Sequence, residues 1–231
     1  VRFLTSELAQ KACNRLRAAL FDQLLERCPC YVRYKMTRGQ RRLLVVTNPH
    51  GGTRKAMSIF ENTVRPVLEL AQVDFDLATT QHAGHAGEMG QQFDHHAVDG
   101  VIFISGDGLV NEFMNGVLRR ADAELVIRTI PFAVVPAGTQ NGLARGVHCD
   151  DAMTVMWCVV KRFTRPLDGM MVRGSVNQVP RLALTGIAWG VASDMVQEYE
   201  EARKWGRLRY PWLKLKHGAL MRREHRAALR Y

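Results

Sequence analysis

Short apolar runs alternate along the chain with segments whose apolar residues recur every three or four positions. The first run, 43–47, is followed by a segment at 56–67 with apolar residues at helical spacing, and similar runs recur at 101–104 and 132–135. Residues 73–77 instead alternate apolar and acidic positions with a period of two, which also indicates a strand. Short apolar runs bounded by turn signals indicate buried strands, and the longer periodic segments indicate amphipathic helices. Strands that alternate with helices predict a parallel sheet joined by right-handed crossovers, and therefore an α/β fold.

The pattern changes after a predicted helix at 153–162. Two β-like segments, 167–173 and 182–189, follow without a helix between them, which predicts a second, antiparallel domain that begins near residue 165. Before the first strand, apolar residues spaced four apart predict a helix, and a basic linker follows it. The predicted organisation is a helix and linker at 1–40, an α/β domain at 41–164 and part of a β domain at 165–231, with both ends of the chain expected to continue in a longer protein.

The third strand leads directly into Gly106-Asp107-Gly108. Asp-Gly is also a hairpin signal, but Leu109, Phe113 and Val117 then recur at helical spacing, which favours a helix. Ligands of open α/β sheets bind at the carboxyl ends of the strands. Asp107 is therefore predicted to present a carboxylate there, and its flanking glycines leave room for a phosphate. The alternative is a turn aspartate that bonds its own backbone.

Two further glycine-bearing loops follow strands in the same way, at 48–52 (Asn-Pro-His-Gly-Gly) and at 136–142 (Pro-Ala-Gly-Thr-Gln-Asn-Gly). Backbone N–H groups at the start of a helix favour anions. The P-loop pattern and the G-x-G-x-x-G pattern after the first strand are both absent. The loops together predict a nucleotide site that is neither of the Walker type nor of the usual dinucleotide type.

The motifs resemble those of the diacylglycerol-kinase-type catalytic domain, and within it those of the sphingosine (long-chain base) kinases. They are the loops at 48–52 and 136–144, the segment 105–116 (Ser-Gly-Asp-Gly-Leu-Val-Asn-Glu-Phe-Met-Asn-Gly) and the segment 188–194 (Ala-Trp-Gly-Val-Ala-Ser-Asp). The resemblance implies a parallel-sheet nucleotide-binding domain, like those of phosphofructokinase and NAD kinase, and the start of an antiparallel β-sandwich that binds lipid. It also implies ATP and Mg²⁺ as cofactors, and the N-terminal helix resembles the end of an upstream pleckstrin-homology-like region.

By this resemblance Asp107 is the candidate general base, which takes the proton of a lipid hydroxyl as that oxygen attacks the γ-phosphate of ATP. The implied ATP-binding residues are Asn48, Pro49, His50, Gly51, Gly52, Thr80, Gln81, His82, Glu112, Gly138, Thr139, Gln140, Arg203 and Arg209. The implied substrate-binding residues are Ser105, Gly106, Asp107, Gly108 and Asp194. Two positions depart from the sphingosine kinases, which usually have Asn at Gly84 and Gly at Gln140. Surface charge is the alternative for the two arginines.

The choice of lipid depends on Val196, where the sphingosine kinases carry an acidic residue that pairs with the lipid ammonium group. An ammonium group buried beside Val196 would be costly without a partner. Asp194, two residues earlier, is the candidate replacement. The implied function is phosphorylation of the primary hydroxyl of a sphingoid base. Alternatives are a ceramide or diacylglycerol kinase, an NAD-kinase-like or phosphofructokinase-like protein, and a non-catalytic membrane-binding module.

Charge adds an expectation about partners. The net charge is +10, and the basic excess lies in 1–42 and 203–231 on either side of a mildly acidic middle. No nucleic-acid-binding motif accompanies this charge, so nucleic acid is not predicted as a partner. An anionic membrane surface is the predicted partner, with solvated surface charge as the alternative. A homodimer is left open.

Cysteine and histidine usage makes metal sites and disulfides poor candidates. The five cysteines, at 13, 28, 30, 149 and 158, are odd in number and lack zinc-type spacing. With no secretory signal and no apolar run of membrane-spanning length, a cytoplasmic, peripherally membrane-associated protein is predicted. His82 and His85, like His95 and His96, show no cluster of partner ligands in the sequence. No protein-held metal is therefore predicted besides the Mg²⁺ carried by ATP.

Overall fold

The computed structural model describes residues 41–51, 53–173, 180–188, 190, 192–195, 198 and 209–217. The predicted helix and linker at 1–40 lie outside these residues. By their contacts the described residues form two compact units, which divide between Thr185 and Gly186. The boundary that the sequence places near residue 165 stays a prediction.

Four strands of the first unit form one sheet within the described residues, and all of its neighbouring strands are parallel. They are β1 (Arg42–Thr47), β2 (Asp74–Thr79), β3 (Val101–Ser105) and β4 (Phe132–Pro136), in the order β2-β1-β3-β4. In the centre, Leu44 of β1 lies opposite Asp76 of β2 on one side and Val101 of β3 on the other. The predicted parallel α/β core is confirmed.

Helices connect the strands as the periodicity predicts. In chain order they are α1 (Ala56–Ile59), a π-helical segment (Phe60–Val64) that runs into α2 (Arg65–Leu70), α3 (His85–Gln92), α4 (Asp107–Val117), α5 (Ala123–Thr129), α6 (Gly142–Gly146), α7 (Ala152–Lys161) and, in the second unit, α8 (Arg209–Leu215). The hairpin alternative at Asp107-Gly108 is wrong, because these residues open α4. Leu109, Phe113 and Val117 are buried on one face of that helix.

The sheet is covered on both faces by buried apolar side chains. Leu43, Val45 and Ile104 pack on one face with α2 and α7, and Val46 and Phe103 pack on the other with α3, α4 and α5. The alternation follows from the pleat, which turns successive strand residues to opposite faces. Burial on both faces explains why the central strands β1 and β3 are nearly continuous apolar runs, whereas the edge strand β2 alternates apolar and acidic residues.

Helices α3 and α4 approach each other with backbone against backbone at two glycines. A Cβ atom on Gly90 would collide with the carbonyl oxygen of Phe113, and one on Gly116 would collide with that of Gly87. Because the obstacles are backbone atoms, side-chain rotation cannot relieve them. The two helices depend on glycine here for their spacing.

Gly116→Ala is therefore expected to lower the free energy of unfolding by about 1–3 kcal/mol, as overpacking does. Denaturant unfolding of the variant and the parent protein measures this. Gly108→Ala in the same helix is the matched control, because nothing lies within 4 Å of a Cβ atom there. Equal destabilisation by both substitutions would contradict the close approach.

After α7 the chain forms a two-stranded antiparallel sheet from β5 (Met170–Val172) and β6 (Arg181–Ala183). The change from parallel to antiparallel pairing is confirmed, although both strands are shorter than the segments predicted from the sequence. A complete β-sandwich stays a prediction. Among the described residues, no helix combines the length and the apolar character needed to cross a bilayer.

Candidate active site

The strand order predicts where a ligand would bind, beside β1. The chain goes from β1 to β2 on one side and then to β3 on the other, so consecutive connections leave the sheet in opposite directions at this point. In open α/β sheets such a switch point, at the carboxyl ends of the strands, is where ligands bind. The loop after β1 begins at Asn48, and the loop after β3 begins at Gly106. The predicted nucleotide loops therefore flank the expected crevice.

Hydrogen bonds tie the strand ends and their loops together. The Thr47 hydroxyl donates to the Ile104 carbonyl at 3.4 Å, and the Ala137 N–H donates to the Ser105 carbonyl at 3.0 Å. Thr53, in the loop after β1, donates from its hydroxyl to the Ala137 carbonyl at 3.0 Å. These bonds connect the loops after β1, β3 and β4 into one framework.

Asp107 is held at the amino end of α6. Its Oδ2 accepts the Gly142 N–H and its Oδ1 accepts the Leu143 N–H, both at 2.8 Å. These N–H groups are among those that a helix start leaves without an intrahelical partner. Each carboxylate oxygen has further acceptor capacity beyond one bond. Asp107 is thus fixed in place and can still accept a proton.

The loops after β3 and β4 touch through glycine backbone. A Cβ atom on Gly138 would lie 2.5 Å from the Cα atom of Gly106. Asn141 braces the same turn, since its Oδ1 accepts the Gly138 N–H at 2.8 Å and its Nδ2 donates to the Gly138 carbonyl at 3.1 Å. Asn141 itself adopts a left-handed conformation, with φ of 52°, which asparagine tolerates better than most residues. Thr139 and Gln140 are exposed between these fixed points.

The loop after β2 joins the site through Thr80. The Thr80 N–H donates to the Thr47 carbonyl at 2.9 Å, and the Thr80 side chain is buried, whereas Gln81 and His82 are exposed. Gly84 has a φ of 90°, a left-handed conformation open to glycine and tolerated by asparagine. This conformation accounts for glycine here where the sphingosine kinases usually have asparagine.

Glu112 contacts the start of α3. Its Oε1 accepts the Ala86 N–H at 3.1 Å, so one oxygen of this predicted ATP-binding residue caps a neighbouring helix. In the loop after β1, the Asn48 side chain accepts the His50 N–H at 2.9 Å. Pro49 and Gly51 are half-buried in this turn. Ser105 is buried and donates to the Gly106 carbonyl at 3.0 Å, and Gly108 is exposed.

The remaining predicted residues lie outside the described residues or in the second unit. Gly52, Arg203 and the Val196 position lie outside the described residues. Arg209 begins α8, and Asp194 is half-buried in a helical turn where its N–H donates to the Gly190 carbonyl at 3.1 Å. Their functional assignments stay predictions.

Comparison with known proteins identifies the family of the domain that carries these loops. The family model described as "Diacylglycerol kinase catalytic domain" matches residues 42–172. The chain belongs to this family. The match includes every strand of the parallel sheet, the loops that follow those strands and β5.

Curated relatives in the family differ in the lipid that they are named for. Sphingosine kinase 1 of Arabidopsis thaliana is 30% identical over 80% of this chain and 39% of its own length, and sphingosine kinase B of Dictyostelium discoideum is 36% identical over 61% and 18%. Ceramide kinase of Mus musculus is 28% identical over 78% of this chain and 36% of its own length. The chain thus spans less than half the length of these relatives.

Several residues that build the site were missed by sequence reasoning. Thr53, Asn141 and Leu143 were not singled out, although Thr53 and Leu143 bond to neighbouring loops and Asn141 braces the loop after β4. For Asn141 a local signal existed, because an asparagine beside a glycine often takes a left-handed turn conformation. The contacts of Thr53 and Leu143 join residues distant in sequence and leave no local signal.

Asn115 links α4 to the antiparallel sheet. Its Oδ1 accepts the Leu182 N–H and its Nδ2 donates to the Leu182 carbonyl, both at 2.9 Å. The amide side chain therefore pairs with β6 as the backbone of a neighbouring strand would. Asp107 lies two turns earlier on the same helix, so α4 connects the candidate base to β6.

Asn115→Leu is expected to leave both Leu182 backbone groups without this partner, and to lower the free energy of unfolding by about 1–3 kcal/mol. Hydrogen exchange at the Leu182 amide should accelerate. Asn62→Leu is the control, because the Asn62 amide bonds within one helical segment, to Ser58. Unchanged exchange at Leu182 would show that Asn115 does not hold the strand.

Proposed function

We propose that this protein is an ATP-dependent lipid kinase that phosphorylates the primary hydroxyl of a sphingoid base, converting sphingosine to sphingosine 1-phosphate. The observation that carries the proposal is the position of Asp107, held by two N–H groups at the switch point of a diacylglycerol-kinase-type domain. The sphingosine kinases among the relatives support the substrate class.

The proposed reaction needs one proton transfer and one displacement. The lipid oxygen attacks the γ-phosphorus of ATP, the bond from that phosphorus to the β–γ bridging oxygen breaks, and ADP leaves. Asp107 accepts the hydroxyl proton as the oxygen attacks. Such transfers depend chiefly on positioning and charge neutralisation, and the glycine loops after β1 and β4 supply backbone N–H groups for that purpose.

Mg²⁺ fits this site as an ion brought by the nucleotide. Among the described residues, Asp107 and Glu112 belong to no group of three metal-ligating side chains, and both carboxylates already accept backbone N–H groups. Mg²⁺ commonly keeps several waters and binds through substrate phosphates with few protein ligands. Bound in this way it would neutralise phosphate charge.

An anionic membrane surface is the proposed place of action, because the lipid substrate resides there and the chain is basic. One basic residue of 203–231, Lys216, is engaged within the protein and is not counted among the cations proposed to contact the membrane. Lys216 donates to Glu198 at 2.7 Å, and this bond holds the pKa of the Glu198 carboxyl below its usual value. A cytoplasmic location and a homodimer stay predictions.

The test is a lipid panel with the full-length protein. Purified enzyme, Mg²⁺ and γ-labelled ATP are incubated separately with sphingosine, ceramide and diacylglycerol in mixed micelles, with Asp107→Asn as the inactive control. Label transfer to sphingosine above the other lipids supports the proposal. Preferential transfer to ceramide or diacylglycerol would show that this lipid, and not sphingosine, is the substrate. No transfer to any of the three lipids would favour the non-catalytic membrane-binding module.

Asp194 is proposed to pair with the sphingosine ammonium group, and Asp194→Asn tests this. Because loss of one partner of a buried charge pair costs at least about 2 kcal/mol, KM for sphingosine should rise about 10-fold or more, while KM for ATP stays nearly constant. Val196→Asp, which restores the acidic residue of the sphingosine kinases, should keep or improve sphingosine turnover. An unchanged KM for sphingosine in Asp194→Asn would reject this pairing without touching the proposed reaction.

A further inference from the structure

Two histidines and a glutamate meet where β2 passes into α3. His82 lies in the loop, and His85 and Glu88 lie in the first turn of α3. One ligand atom from each of the three side chains falls within 4.8 Å of the others. His82 and Glu88 are each more than half exposed, and His85 is half-buried. The sequence prediction that these histidines lack a partner ligand is therefore wrong at this position, because Glu88 supplies one.

Hydrogen bonding leaves one ring nitrogen of His82 available to a cation, and the His82 ring, which is exposed and stacks on that of His85 with centroids 4.7 Å apart, must turn for both rings to reach one ion. Its Nδ1 lies 3.0 Å from the Ala83 carbonyl oxygen. Because a carbonyl can only accept, Nδ1 carries the proton and the lone pair of neutral His82 is on Nε2. That nitrogen lies 3.7 Å from Glu88 Oε2. Metal-bound histidines usually have this arrangement, with the second ring nitrogen donating to a carbonyl or carboxylate.

His85 is engaged in a contact that a metal would replace. Its Nδ1 accepts the Gln81 N–H at 3.0 Å, so neutral His85 carries its proton on Nε2. Coordination through Nδ1 would use the lone pair that accepts this bond. Coordination through Nε2 would move the proton to Nδ1, where it would face the Gln81 N–H. Metal binding by His85 and the Gln81–His85 hydrogen bond therefore exclude each other.

We propose that His82, His85 and Glu88 bind one transition-metal ion of the Zn²⁺ class, and that binding releases the Gln81 amide from His85. Two imidazoles and one carboxylate form a donor set that suits Zn²⁺ and leaves a fourth position open, whereas Mg²⁺ and Ca²⁺ favour oxygen ligands. The proposed metal site lies in the loop after β2 and the first turn of α3, and not in the loops after β1, β3 and β4. Because Gln81 belongs to the predicted ATP-binding loop, the ion would alter the shape of that loop, and only this last consequence rests on the proposed function.

The first test measures Zn²⁺ alone, without nucleotide or lipid. Metal-free full-length protein is titrated with Zn²⁺ in competition with a chromogenic chelator, and the expected result is one equivalent bound in the presence of excess Mg²⁺. His82→Ala and Glu88→Gln should each weaken binding at least about 10-fold, the lower end of what loss of a second-shell partner alone costs. His96→Ala, an exposed histidine on the following loop, should leave binding unchanged.

The second test follows the loop itself by hydrogen exchange at the Gln81 amide. At a Zn²⁺ concentration that saturates only the parent protein, Zn²⁺ should accelerate exchange in the parent protein and not in Glu88→Gln, which keeps the Gln81–His85 bond and lacks one ligand. Stoichiometric Zn²⁺ binding that survives both ligand substitutions would overturn the site. Zn²⁺ binding that depends on these ligands but leaves Gln81 exchange unchanged would overturn the release of Gln81. Neither assay involves phosphoryl transfer, so failure here is separable from failure of the kinase proposal.

Discussion

Asp107→Asn is expected to lower kcat for lipid phosphorylation by about 100-fold or more, while the affinity for ATP stays near that of the parent protein. A positioned general base contributes about 10²–10⁴-fold, and an amide cannot accept the hydroxyl proton. The position is otherwise preserved, because asparagine has the same shape and its one oxygen can still accept an N–H at the start of α6.

The structure adds a cost to this substitution that the sequence does not show. Both carboxylate oxygens accept backbone N–H groups, and the amide NH₂ of asparagine would face one of those donors. The lost bond is expected to reduce the free energy of unfolding by about 1 kcal/mol. A small loss of stability in this variant is therefore compatible with the proposed role.

Asp151→Asn separates capping from catalysis. The Asp151 side chain caps α7 by accepting the Thr154 N–H at 2.9 Å, so it is a carboxylate at a helix start outside the candidate site. Because asparagine caps a helix about as well as aspartate, Asp151→Asn should keep stability and turnover near those of the parent protein, and only Asp107→Asn should lose turnover. The measurements are kcat against pH, ATP-analogue binding and denaturant unfolding. Near-normal kcat in Asp107→Asn would place the base on another residue.

Local pattern was enough to predict the α/β core and the loops that build the site. Strands β1, β3 and β4 are nearly uninterrupted apolar runs, β2 alternates apolar and acidic residues, and the helix that begins at Asp107 carries its apolar residues at regular spacing. Parallel strands bring their carboxyl ends to one edge, so Asp107 and Gly138 could be placed near each other without coordinates. The antiparallel segments were recognised as β-like, but their lengths were overestimated because their apolar residues continue past the paired positions.

Contacts between distant residues could not be predicted. Asp107 bonds to Gly142 and Leu143, which lie 35 and 36 positions away, and Asn115 bonds to Leu182, which lies 67 positions away. No local pattern encodes such pairs, because they depend on how the elements pack. Glu88 is different, since it follows His85 by three positions and shares one helix face with it. That grouping was present in the sequence and was overlooked.

Gly138→Ala is the second substitution expected to have a large effect, a loss of ATP binding of about 10-fold or more with a matching loss of kcat/KM. The added Cβ atom would lie 2.5 Å from the Gly106 Cα atom and 2.8 Å from Asn141 Oδ1. Real Cβ atoms essentially never approach other atoms so closely, and the first obstacle is backbone, so the two loops must separate.

Separation of the loops would disturb the site on both sides. Asn141 braces the Gly138 turn, and Gly142 and Leu143, which follow Asn141, supply the N–H groups that hold Asp107. Displacement of this turn by even about 1 Å can cost roughly 100-fold in rate when it misplaces reacting groups. Nucleotide binding and turnover should therefore fall together, in contrast to Asp107→Asn, where turnover falls alone.

Gly146→Ala is the matched control for this prediction. Gly146 ends α6, and a Cβ atom there would have no neighbour within 4 Å, so the variant should bind an ATP analogue as tightly as the parent protein. Calorimetric titration of both variants with the analogue, together with unfolding curves, separates a local loop effect from general destabilisation. Gly138→Ala with parental nucleotide affinity would mean that the loop after β4 does not contact ATP.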